Sequence, residues 1–115
     1  MSTYRILIVD DNPINLRLGT FTLEKAGHEV RTAEDADSTM QVLATFAPHL
    51  ILLDLQLPGV DGFELTRRLK AEPRFGDVRI VALTAFAMKG DEQRARAAGC
   101  DGYIAKPVQP NELRR

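Results

Sequence analysis

Cysteine, net charge and long apolar runs are all scarce in this chain, and each scarcity removes a class of protein. A lone cysteine, Cys100, cannot build an internal disulfide framework and fits a reducing compartment. The 15 basic residues stand against 16 acidic ones, for a formal net charge of −1, so nothing draws the chain broadly toward nucleic acid or an anionic membrane. No apolar stretch approaches the roughly 20 residues that a membrane span needs. The opening residues MSTYR lack the charged-then-apolar layout of a signal peptide, so a soluble, cytoplasmic protein is expected. Repeats, low-complexity tracts and linkers are absent too, and so is any recognisable DNA-binding segment. What remains is 115 residues, 44% apolar and 27% charged, an ordinary globular balance. One domain over residues 1–115 is the expectation.

Two segments set the fold. The stretch RILIVDDN places a doubly buried apolar run, Ile6 to Val9, directly before two adjacent carboxylates, Asp10 and Asp11. Leu50 to Leu53 repeats the pattern and ends on Asp54. Between them, Asn12-Pro13 reads as an N-cap followed by proline at the first helical position. The helix that follows carries Ile14, Leu18, Phe21 and Lys25 on one stripe and closes at Gly27. His28 to Ala33 alternates like a sheet-edge strand, and a second helix is predicted over Asp35 to Phe46, with Ala36, Met40 and Leu43 inward. After turn chemistry at Leu57 to Gly62, a helix carries Leu65 and Leu69. Val78 to Leu83 is a strand ending at Thr84, Asp91 to Ala98 a helix, and Gly102 to Ala105 a strand leading into Lys106-Pro107. A last helix is expected from Pro110, cut short at five residues.

Strands alternating with helices predict an α/β fold with a parallel sheet. Five strands suggest the flavodoxin-like, doubly wound order 2-1-3-4-5, because strand 1 lacks the Gly-rich turn of a dinucleotide fold. Strands 1 and 3 are then neighbours, and the winding reverses between them, where ligands of such sheets bind. Asp10, Asp11, Asp54, Thr84 and Lys106 all fall at carboxyl ends of strands, so all five can face one cleft. Three crowded carboxylates repel one another, which a divalent cation relieves, and magnesium favours such oxygen ligands with phosphate completing the set. Carboxylate nucleophile, metal, hydroxyl and ammonium together are the parts for phosphoryl transfer. Each residue alone reads more blandly: a turn or cap aspartate, a capping threonine, a solvated lysine. His28 and His49 lack partners at metal-ligand spacing, Cys100 reads as a small buried residue, Asp61 belongs to a turn, and Asp91 to Arg94 reads as a solvated helix face.

The segments ILIVDDNPIN, LILLDLQLPGVDG, VALTAF and YIAKP, in this order and spacing, resemble a response regulator receiver domain along essentially the whole chain. In detail DDNPIN and TAFAMKGDE resemble the stand-alone DivK-type regulators and hybrid-kinase receivers. The resemblance implies that Asp54 accepts phosphate from a histidine kinase or histidine phosphotransfer protein. It implies Mg²⁺, with Mn²⁺ as a substitute, held by Asp10, Asp11, Asp54 and the Gln56 backbone carbonyl. It further implies phosphoryl contacts from Thr84 and Lys106, a cis Lys106–Pro107 peptide, and a switch in which Thr84 moves and Tyr103 turns inward. A downstream partner would then read the face of helix 4, strand 5 and helix 5. The patch left uncovered by the short last helix could also pair with another copy through the strand 4–5 face, giving a phosphorylation-dependent homodimer. The resemblance also implies that Gln56 and Phe86 occupy positions that in that family tune the phosphate lifetime.

Two other readings stand beside this one. A haloacid-dehalogenase-like phosphatase also combines an aspartyl nucleophile with Mg²⁺, Thr and Lys. That chemistry wants a second acid two residues on, where this chain has Gln56. A purely structural module would not need the acid pair, Asp54, Thr84 and Lys106 together. The expectation is therefore a signalling module rather than an enzyme, catalysing only its own phosphorylation and dephosphorylation.

Overall fold

The computed structural model describes residues 3–57, 60–84 and 90–105, with backbone alone for Gln56, Val60, Asp91 and Ala105. The two doubly apolar runs become β1 (Arg5–Val9) and β3 (Leu50–Asp54), flanked by β2 (Glu29–Ala33), β4 (Arg79–Thr84) and β5 (Gly102–Ala105). All pair in parallel, in the order β2-β1-β3-β4-β5. This is the flavodoxin-like order expected from the sequence. The crossovers carry α1 (Pro13–Lys25), α2 (Ala36–Leu43), α3 (Gly62–Ala71) and α4 (Asp91–Ala98). The register levels the carboxyl tips: Val9 lies beside Leu53, Asp54 beside Leu83, and Thr84 beside Ala105.

Each face of the sheet has its own apolar layer. On one, Leu7, Val9, Ile51, Leu53, Ile80 and Ala82 pack with residues of α2, α3 and α4. On the other, Ile6, Ile8, Leu52, Leu83 and Ile104 pack with Leu23 of α1. A parallel sheet covered on both faces needs continuous apolar strands, which is why β1 and β3 show no alternation.

The helix ends follow their sequence signals. The Asn12 side chain caps α1, Asp35 and Ser38 form a reciprocal capping box on α2, and Asp61 caps α3. Gly27 and Gly99 end α1 and α4 with φ of 98° and 113°, a region that favours glycine.

One helix end needs correction, and the α1 stripe proves to face solvent: Ile14, Leu18 and Phe21 are 67%, 53% and 65% exposed. The helix instead seats Gly19 and Leu23, with Leu16 packed on the same layer. The close approach explains the choice, since a Cβ on Gly19 would lie 2.9 Å from Ile8 Cδ1. Helix α2 stops at Leu43 rather than Phe46. The chain still turns there, with the Phe46 amide donating to the Val42 carbonyl at 2.9 Å and burying the Phe46 ring. Glu92, Gln93 and Arg94 are exposed, as expected of a solvated helix face, and the Arg94 guanidinium lies 4.3 Å from the centroid of Phe63. The expected helix from Pro110 lies outside the described residues.

Candidate functional site

The site begins where β1 runs out. The Asp10 amide still donates to the Ala33 carbonyl at 3.0 Å, so this residue is held as a continuation of the sheet. Its carboxylate then turns back, and Oδ1 accepts the Asn12 amide at 2.9 Å. Asn12 itself is fixed by capping α1, its Oδ1 accepting the amides of Ile14 at 2.8 Å and Asn15 at 3.4 Å. One residue therefore orients the first carboxylate and starts the helix. Sequence reasoning found the cap and missed the contact to Asp10. The visible signal was an Asn two places after an Asp and just before a proline.

Asp54 ends β3 in the adjoining position. It is 3% exposed and Asp10 is 1% exposed, whereas Asp11 faces solvent. One carboxylate oxygen from each of Asp10, Asp11 and Asp54 lies within 4.8 Å of the others. Among the described residues this is the one grouping of three such donors. All its donors are carboxylate oxygens, the set suited to a hard divalent cation such as magnesium rather than to a thiolate- or imidazole-seeking metal. The exposed Asp11 leaves one side open to water, which magnesium retains in part. The residues fit the ion.

Thr84, at the tip of β4, is 3% exposed and completes the row of polar tips in the register described above. Tyr103 lies beside Ala82 in β5 and packs, half-buried, against the α2–α3–α4 layer. Because Thr84 pairs with Ala105, two residues along from Tyr103, alternation puts Thr84 and Tyr103 on one face of the sheet. After Asp54 the chain forms a two-residue antiparallel ladder, Gln56 opposite Asp61 and Leu57 opposite Val60. This ladder places the Gln56 backbone two residues from Asp54. Lys106, Pro107 and Phe86 lie outside the described residues.

The histidines sit at the other end of the sheet. His28 Nδ1 accepts the Tyr4 amide at 3.1 Å and His49 Nδ1 accepts the Arg5 amide at 3.0 Å. Both sit beside the Tyr4 ring, with centroids 5.5 and 5.7 Å away. These contacts secure the start of β1. Cys100 is buried beside Thr66, at 3.7 Å between Sγ and Oγ1.

A parallel α/β sheet with three aspartates clustered where its winding reverses is a flavodoxin-like fold carrying an acidic site at its switch point. Residues 6–115 match the model of the response regulator receiver domain, and the chain belongs to that family. It is therefore a receiver of two-component signalling. It is 40% identical over 106 residues to the polar-differentiation response regulator DivK of Brucella ovis, covering 92% of this chain and 86% of that one. Among solved structures, it resembles a putative response regulator from Chloroflexus aurantiacus with a TM-score of 0.88 and 32% identity, over 97% of this chain and 92% of that one. The BeF3-activated DrrB receiver domain is similar at a TM-score of 0.82 and 26% identity, over 97% and 92% of the two chains.

Proposed function

We propose that the 115 residues act as one phosphoacceptor unit, in which Asp54 takes a phosphoryl group from the phosphohistidine of a histidine kinase or histidine phosphotransfer protein. A carboxylate oxygen of Asp54 forms the new bond to phosphorus. The phosphorus–nitrogen bond of the donor breaks, and its electron pair stays on the imidazole, which takes up a proton. The observation that carries this reading is the convergence of Asp10, Asp11 and Asp54 at adjoining strand tips in a receiver chain.

Asp10, Asp11 and Asp54, with the Gln56 backbone carbonyl, would hold Mg²⁺, or Mn²⁺ in its place. When bound, the ion supplies positive charge against the phosphoryl oxygens. The chain's own residues do the positioning. Asn12 fixes the direction of the Asp10 carboxylate. Burial of Asp54 limits the water that can reach an acyl phosphate. The Thr84 hydroxyl donates to a phosphoryl oxygen, and Lys106 places an ammonium on another. Drawing Thr84 toward the phosphate opens space along the face it shares with Tyr103, so phosphate biases a two-state packing element. The face of α4, β5 and the following segment then presents differently to a downstream protein or to a second copy of the chain. In this reading the module turns over no separate substrate, contacts neither nucleic acid nor membrane, and works in the cytoplasm.

Incubation with acetyl phosphate and Mg²⁺ should add one phosphoryl group to the intact mass, and Asp54→Asn should add none. Beryllofluoride, the activator named for the DrrB receiver, should in the presence of added Mg²⁺ give a bound-fluoride NMR signal that Asp54→Asn lacks. Equal behaviour of the two chains would reject the assignment. Sustained turnover of an aryl phosphate would favour a phosphatase instead.

A further inference from the structure

Gly62 opens α3, a position where alanine would be the better helix former. Its reason for being glycine is contact. A Cβ there would stand 2.5 Å from Leu55 Cα, 2.8 Å from the Leu55 carbonyl oxygen and 2.9 Å from its carbonyl carbon. Every one of these atoms belongs to backbone, so no rotamer change can relieve the clash. The Gly62 amide meanwhile donates to that same Leu55 carbonyl at 3.2 Å.

Leu55 is the residue directly after Asp54. Its own amide donates to the Leu83 carbonyl at 3.1 Å, one residue before Thr84. The peptide following the acidic tip is therefore gripped from two sides, by β4 and by the first turn of α3. The short ladder of Gln56–Leu57 with Val60–Asp61 closes the same loop, and Asp61 Oδ1 accepts the Phe63 amide at 2.9 Å where the helix begins.

We infer that Gly62 is a positioning residue for the acidic site: its contact with the Leu55 backbone fixes the segment that aims Asp54 and presents the Gln56 carbonyl. The inference rests on the phosphoacceptor reading above. Displacing supporting groups around a metal site weakens binding by about tenfold or more. A Cβ at residue 62 must shift the Leu55 backbone or the start of α3 that packs on it.

The test compares wild type, Gly62→Ala and Gly76→Ala by Mg²⁺ calorimetry and by the fluorine signal of the beryllofluoride adduct, with urea unfolding in parallel. Gly76 is a suitable control because its added Cβ would meet the Pro73 carbonyl at 3.3 Å, in the turn ahead of β4. Gly62→Ala should stay folded, bind Mg²⁺ at least about tenfold more weakly and lose the adduct at Mg²⁺ levels that saturate wild type. Gly76→Ala should keep wild-type Mg²⁺ affinity whatever it does to stability. Wild-type Mg²⁺ affinity in Gly62→Ala would overturn the inference while leaving the phosphoacceptor reading intact. A wild-type chain that binds no Mg²⁺ would overturn both. Should Gly62→Ala fail to fold, Asp61→Ala decides: it loosens the same closure without a clash. It should weaken Mg²⁺ binding, Asp61→Asn should restore it, and unchanged affinity in Asp61→Ala would overturn the inference.

Discussion

Replacing Asn12 with alanine separates its two duties, because one is carried by the side chain and the other by the backbone. The side chain satisfies two amides of α1, but only the 2.8 Å bond to Ile14 has good length; the 3.4 Å bond to Asn15 is weak. Asn12 is exposed, so water can replace part of what is lost. Helix α1 is also anchored elsewhere, through Leu23 in the core. Cap removal costs about 0.5–2 kcal/mol, and these three facts place Asn12→Ala near 1 kcal/mol. For a domain of this size that is roughly 3–5 °C in Tm.

The second duty appears only when Mg²⁺ is present. In the alanine variant the residue 12 amide can still donate to Asp10, but only the Leu16 amide bond to the residue 12 carbonyl, at 3.1 Å, then holds its geometry. A ligand that binds only the native state stabilises it by about 2.7 kcal/mol at a hundredfold excess over Kd. An approximately threefold weaker Mg²⁺ site would remove about 0.7 kcal/mol of that. Urea unfolding in EDTA should therefore show a loss near 1 kcal/mol, and unfolding in excess Mg²⁺ a larger one. Asn12→Ser, which can cap without adding charge, should recover most of both. An alanine variant within about 0.5 kcal/mol of wild type in both media would refute the reasoning, as would a serine variant no better than alanine.

Leu18→Ser and Phe21→Ser should each change stability by under about 0.5 kcal/mol, whereas Leu23→Ala on the same helix should cost about 2–5 kcal/mol in urea unfolding. Burial pushes the Cys100 thiol up, so native protein should react slowly with a thiol reagent at neutral pH and rapidly once unfolded. The sign for stability follows: the folded state holds that proton more tightly, so the contribution is present below the unfolded thiol's pKa and is lost as pH rises above it. A Cys100→Ala variant should show a flatter alkaline limb in pH-dependent unfolding. The Ser38 amide and hydroxyl hold the Asp35 carboxyl below its ordinary value, so the capping box contributes above that value and is lost as pH falls through the lowered one. Asp35→Asn should flatten the acid limb correspondingly.

The sheet was legible because its information is local. Four apolar residues before Asp10, and four before Asp54, read as strands buried on both faces, and the tips follow from their ends. Which side of α1 meets the sheet was not legible, because hydropathy counts apolar side chains and is blind to the absence of one. At Gly19 the helix comes close to Ile8 of the sheet. Thr39 and Thr66 are fully buried for a related reason: each hydroxyl donates to the carbonyl four residues back, Asp35 and Gly62, so the polar group arrives already satisfied. The packing of Gly62 on Leu55 could not be read from spacing, since it depends on the angle at which α3 leaves the ladder.

Why the three carboxylates stay crowded is a question of which force controls their position. At separations of up to 4.8 Å and an effective dielectric near 20, each ionised pair is opposed by roughly 3.5 kcal/mol or more. Side chains on a mobile surface would swing apart. Here the residues that precede them, Val9 and Leu53, are fully buried and stand side by side in the register of β1 and β3. Separating the tips would mean breaking that pairing and exposing two core residues, each worth about 1.5–3 kcal/mol when buried, along with the sheet hydrogen bonds. The core therefore wins, and it holds Asp10 and Asp54 together against their own repulsion. In the proposed metal-bound state a cation would therefore meet two of its ligands already gathered, with exposed Asp11 leaving one side of the site open to water.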